Sequence, residues 1–91
     1  MTAQATPVNI TGTTQAISAL PCTLRGFSIG STAGSTVTLY DNALAASGTV
    51  LASFTLAAAG FQHADFGDGV RCVNGIYLST GAACQGHVRI G

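Results

Sequence analysis

The side chains able to do acid–base, nucleophilic or metal chemistry are few. They are Asp41, Asp65, Asp68, His63, His87, the cysteines Cys22, Cys72 and Cys84, and the hydroxyls; Glu and Lys are absent altogether. Catalysis requires such groups to converge, and the only local constellation is His63-Ala64-Asp65. On a strand, His63 and Asp65 share a face at i and i+2 spacing, which suits a His–carboxylate pair or two ligands of a metal. Two ligands fall short of the four donors of a structural zinc site or the three of a catalytic one. No serine sits in a G-x-S-x-G elbow. Residues 30–34, Gly-Ser-Thr-Ala-Gly, lack the Lys and the spacing of a phosphate loop, and Gly67-Asp68-Gly69 lacks the acidic ligands of a calcium loop; both read as turns. The expectation is a non-enzymatic chain with no metal and no cofactor.

Three cysteines cannot all pair within one chain, so at least one is free or bonded to another subunit. In a reducing cytoplasm all three serve as small buried hydrophobes. The alternative is an intersubunit disulfide through Cys22, Cys72 or Cys84, formed after release from the cell. Tyr40, Tyr77 and Phe61 are candidates for a sugar-stacking platform, because amphipathic aromatics on a sandwich face bind pyranose rings. The absence of Trp, and of amide or charged side chains near them in sequence, favours ordinary packing instead.

The elements that must position these groups are strands. Twelve glycines recur at short intervals and β-branched residues run through every segment, leaving few windows with a 3.6-residue period. Residues 50–57 set Val50, Ala52, Phe54 and Leu56 against Leu51, Ser53, Thr55 and Ala57; residues 36–40 set Val37 and Leu39 against Thr36, Thr38 and Tyr40. These two strands are joined by a loop of about eight residues in which residues 43–46 are suited to one helical turn. Within residues 23–30, Phe27 and Ile29 are expected to point inward. Asn74-Gly75 is a two-residue hairpin signal, which pairs residues 70–73 with 76–80. The final run, residues 84–90, divides Cys84, Gly86, Val88 and Ile90 from Gln85, His87 and Arg89, giving a strand with one core side and one wet or partner-facing side. Counting residues 8–17 as one broken strand and residues 61–66 as another gives seven or eight short strands. The expected fold is therefore all-β, a small antiparallel β-sandwich or jelly roll. Residues 1–7 carry no apolar pattern and are expected to form a flexible N-terminal arm, leaving residues 8–91 as the single domain.

At 91 residues the chain has room for one core. Apolar residues make up 47 % of it and charged residues only 7 %, three Arg against three Asp, for a formal net charge of zero. An average soluble domain carries roughly 25 % charge. A surface this neutral is poorly protected against self-association and suits a subunit whose exterior is covered by neighbours. Arg25, Arg71 and Arg89 are dispersed, which argues against nucleic acid. The longest apolar stretch, residues 50–60, is too short to span a bilayer, and residues 1–20 lack the pattern of a secretory signal. The expected partner-facing side chains are Gln85, His87, Arg89, His63 and Asp65.

Leu39-Tyr40-Asp41, then residues 46–51 (Ala-Ser-Gly-Thr-Val-Leu), Phe54-Thr55-Leu56, Asn74-Gly75-Ile76-Tyr77-Leu78 and Gly86-His87-Val88 together resemble the small β-sandwich structural proteins of tailed bacteriophages, including capsid decoration (cement) proteins. The resemblance spans about residues 20–91 and rests largely on sandwich turn chemistry; the three cysteines depart from the pattern. It implies a virion protein made in the host cytoplasm and placed on the capsid surface, where it binds the major capsid protein or other virion proteins as a homotrimer. The N-terminal arm and the loops at residues 41–48 and 80–84 would then touch the shell. The alternatives are a tail, collar or head-fibre component and, outside the virion, a small carbohydrate-binding module.

Overall fold

The computed structural model describes residues 5–11 and 13–91. They form eight strands and no helix: β1 (Thr6–Asn9), β2 (Gln15–Ser18), β3 (Cys22–Ser31), β4 (Ser35–Asp41), β5 (Thr49–Leu56), β6 (Gly60–Cys72), β7 (Ile76–Thr80) and β8 (Gln85–Ile90). One four-stranded sheet has the order β1-β8-β3-β6, the other β2-β7-β4-β5, and every pairing is antiparallel. The fold is thus an all-β sandwich. Four of the pairings are nested, β1 with β8, β2 with β7, β3 with β6 and β4 with β5, as if a long two-stranded ribbon with β4–β5 at its tip had been rolled up. That is the strand order of a jelly roll.

Alternation explains which side chains meet. Leu24, Phe27 and Ile29 of β3 and Val88 of β8 descend from one sheet onto Val37 and Leu39 of β4 and Ile76 and Leu78 of β7 from the other. Phe27 stacks nearly parallel on Phe54 at a centroid distance of 5.0 Å and meets Phe66 at 6.0 Å, which closes the side of the core under β5 and β6. Each such aliphatic side chain stabilises the fold by about 1.5–3 kcal/mol through removal from water.

Two bulges reset the alternation. The register of β3 shifts between Leu24 and Gly26 on both of its flanks, so Leu24 and Phe27 both face the core although three positions apart. In β5 the register jumps from Ala52 to Val50, which turns Val50 outward, 53 % exposed, rather than inward beside Ala52 and Phe54. Opposite the β3 bulge, β6 carries residues 66–69 outside the ladder, with Gly67 and Gly69 at positive φ; the expected Gly-Asp-Gly turn is a bulge inside one strand.

Several expectations are corrected. Residues 8–17 are not one broken strand: β1 and β2 lie in opposite sheets. Residues 70–73 do not pair with 76–80, since β6 and β7 also belong to different sheets and Asn74-Gly75 is a crossover between them. What makes that crossover tight is Asp41, whose carboxylate accepts the backbone N–H groups of Val73 and Asn74 at 3.3 and 2.9 Å. Residues 43–46 form no helical turn; the Asn42 side chain accepts the N–H groups of Leu44 and Ala45 and holds a bent loop. Of the expected arm, Thr6 and Pro7 belong to β1, paired with Ile90 and Arg89, and residues 1–4 lie outside the described residues.

Candidate functional site

Pairing sets the outer face of the β1-β8-β3-β6 sheet into rows. One row runs Pro7, Arg89, Gly26, Asp65; the next runs Asn9, His87, Ser28, His63; a third joins Gln85, Gly30 and Phe61. The side chains expected to face a partner therefore converge on one face, although they come from β6 and β8, which lie some twenty positions or more apart in sequence.

Arg89 is the hub. Its NH2 donates to the carbonyls of Ala64 at 2.7 Å and Phe27 at 3.4 Å and to Asp65 Oδ1 at 3.0 Å; its NH1 donates to Ser28 Oγ and His87 Nε2, both at 3.0 Å. This reach across β3 exists because Gly26 has no side chain: a Cβ there would collide with the Arg89 guanidinium and the Ala64 carbonyl. His63 closes the circuit, with Nδ1 2.8 Å from Ser28 Oγ and Nε2 3.2 Å from Asp65 Oδ2. One proton assignment satisfies every contact. The carboxylate and the guanidinium fix the ends, so His63 Nε2–H donates to Asp65, Ser28 O–H donates to His63 Nδ1, and His87 Nε2 accepts from Arg89. Asp65 is held below the usual carboxylate range chiefly by its hydrogen bond from His63, which with the added pull of Arg89 outweighs the loss of hydration acting the other way.

Ser28, His63 and Asp65 stand in the sequence of a nucleophilic triad. Ser28 escaped the sequence reading because only the β3–β6 register, set by strands more than thirty positions apart, brings it to His63. The surroundings do not complete an acyl-transfer site. β3 is paired on both sides, so the backbone N–H groups near Ser28 are committed to ladder bonds and are not free to hold an oxyanion. Among the described residues no third His, Cys, Asp or Glu joins His63 and Asp65 to hold a metal. What the arrangement does is lock β8, β3 and β6 together on their outer face.

In the third row a shallow cavity of about 350 Å³ opens beside Phe61, with Gln85, Gly30, Thr32 and Ala59 among its walls. Phe61 is 64 % exposed and its ring leans over Gly30. Tyr40 and Tyr77 are register partners on the opposite sheet, so the three candidate sugar-stacking aromatics do not form one platform.

The cysteines also separate. Cys72 and Cys84 are buried, and Cys22 is half-buried directly across the β3–β6 ladder from Cys72. All three are free thiols, and Cys72 is pushed up to about 11 by burial and by its contact with Cys22. Neither Cys72 nor Cys84 presents its sulfur to a neighbouring subunit in the folded chain.

A different surface forms at one end of the sandwich, where the loops at residues 19–21, 42–48 and 73–75 meet. Asp41 ties the second to the third, and Gly75 lies so close to the Ser18 carbonyl and Ala43 that no Cβ fits there. Each loop exposes one large apolar side chain: Leu20 at 72 %, Leu44 at 84 % and Val73 at 59 %. The loop at residues 80–84 lies at the other end, tied to Ser35 and Thr36, so it does not share a flat contact with residues 41–48. Comparison with protein-family models, with curated proteins and with solved structures finds no match.

Proposed function

We propose that this chain is a non-enzymatic assembly module of the capsid-decoration kind, which binds the major capsid protein or another virion protein through the loop end of its sandwich and strengthens contacts between shell subunits. The observation that carries the reading is the set Leu20, Leu44 and Val73, three exposed apolar side chains on three loops held side by side. A monomer with six charged residues has little else to keep such an end soluble. The jelly-roll order is one that viral capsid domains use, although the fold alone does not define the task. Docking adds buried area between neighbours that the bare shell joins weakly and raises the barrier to local opening.

The test compares capsids carrying the wild-type chain, capsids carrying Leu20→Ser/Leu44→Ser/Val73→Ser, and capsids without either. The expected result is release of contents at lower temperature for the last two. Equal release temperatures for all three refute the docking role.

A second reading, a carbohydrate-binding module, draws on the cavity beside the exposed Phe61, where Gln85 supplies an amide beside an aromatic face. A glycan array separates the two: binding abolished by Phe61→Ala and indifferent to the loop-end substitutions favours the sugar.

A further inference from the structure

A sandwich has four sheet edges, and natural proteins blunt each of them to prevent edge-to-edge pairing. Here three are blunted. β1 is four residues long and contains Pro7; β2 is four residues long and has a register shift between Ala16 and Ser18. The long edge β6 is broken by the bulge at residues 66–69 and bears the His63–Asp65 pair. β5 is different. It runs eight residues, Thr-Val-Leu-Ala-Ser-Phe-Thr-Leu, without Pro, Gly or charge, and past its bulge residues 52–56 are regular. Its pairing is with β4 alone, and among the described residues no strand covers its other side. The neutrality extends beyond the strand, since residues 42–64 contain no Asp, Glu, Lys or Arg.

We propose that the free edge of β5 is a self-association surface, on which a second copy of this chain adds its own β5 antiparallel to extend the β2-β7-β4-β5 sheet across a two-fold axis. An open strand edge offers a row of N–H and C=O groups, and the partner that satisfies them is another extended strand. The second copy fits for two reasons. Antiparallel pairing of one strand with its own copy is isologous and closes after two subunits. The absence of charge means that the dyad brings no like charges together, and like-charge repulsion is one of the devices that forbid such pairing. Ser53 and Thr55 point outward on the same face as Thr38 and Thr36, and Ser53 already shares a hydroxyl contact with Thr38 at 3.2 Å, so the outer face of the joined sheet is a hydroxyl lattice. The pairing is independent of what the loop end binds. It also differs from the three-fold assembly that the resemblance implies, and the two are separable by mass.

The experiment is sedimentation of the full chain at micromolar concentration, in wild type and in two variants, Ser53→Lys/Thr55→Lys and Ser53→Glu/Thr55→Glu. Both positions are exposed, so circular dichroism should report folded protein for each. The wild type is expected to sediment as a dimer and each variant alone as a monomer. An equimolar mixture of the two variants should regain the dimer, because opposite charges then face each other across the dyad. Ala16→Lys, a positive charge placed on the β2 edge instead, should leave the dimer intact. A wild-type monomer or trimer overturns the proposal, as do β5 variants that stay dimeric or a mixture that fails to recover.

Discussion

Oxidation of the wild-type chain should join Cys22 to Cys72 within one molecule. The two are direct partners in the β3–β6 ladder, and directly opposed antiparallel residues have Cα atoms about 4.5–5.5 Å apart, inside the window of roughly 4.4–6.8 Å that a disulfide requires. Half-buried Cys22 is the thiol that oxidised glutathione reaches first; its sulfur takes one glutathione and releases the other. Cys72 then displaces the bound glutathione and completes the bridge. Because burial, the largest cause of the raised Cys72 value, persists once Cys22 carries glutathione, the attacking thiolate is scarce at neutral pH and the second step should accelerate as pH rises from 7 to 9. The bridge closes a loop of about 50 residues, for which the chain-entropy relation gives about 4 kcal/mol, less any strain. For a domain of this size that corresponds to a rise in Tm of roughly 15–30 °C. The assay is intact mass under non-reducing conditions, reading the loss of two hydrogens, followed by thermal melts with and without reductant, in a Cys84→Ser background that removes the third thiol. Cross-linked dimers, a mixed disulfide that never resolves, or a bridged form that melts no higher than the reduced one would each refute the reasoning.

Arg89→Ala should cost about 1.5–3 kcal/mol in urea denaturation, the range for hydrogen bonds to a charged group, because it leaves the Ala64 and Phe27 carbonyls without the donor that spans β3. Gly86→Ala should cost roughly 2–4 kcal/mol, since Gly86 has a φ of 122° and a Cβ would strike the Ser28 carbonyl; calorimetry checks it, and a wild-type Tm contradicts it. Asp65→Asn should change stability only above the acid range. The folded carboxyl is depressed, so its contribution is present above its unfolded value and fades as pH falls through the folded one. Melts of wild type and variant at successive pH values should therefore converge at the acid end, by a small amount given the exposure of Asp65.

Local pattern was enough to locate most strands and their inward faces. Val37, Leu39, Phe27, Ile29, Cys84 and Val88 are buried where alternation put them. It failed where the alternation itself slips, at the β3 bulge that turns Leu24 inward and the β5 bulge that turns Val50 outward, because a bulge is set by the partner strand and leaves the hydrophobic spelling unchanged. It failed again at Asn74-Gly75. The dipeptide asks only for permissive backbone angles, and Asp41, thirty-odd positions away, decides that the chain crosses to the other sheet. The polar face was legible in its members His63, Asp65, His87 and Arg89 but not in its wiring. Ser28 and Gly26 enter only through register, one as a relay between Arg89 and His63, the other as the gap that lets the guanidinium pass.

The nested pairing also dictates an order of events. The β4–β5 hairpin closes the shortest stretch of chain, whereas β1 meets β8 only after nearly the whole polypeptide has been drawn in, with Thr6 beside Ile90. Loop-closure entropy and distant contacts both slow such a chain. During synthesis, therefore, the tip can close early, while the outermost pair must wait until β8 has emerged from the ribosome; that late pairing completes the opposite sheet and leaves the uncharged edge of β5 as bare as before.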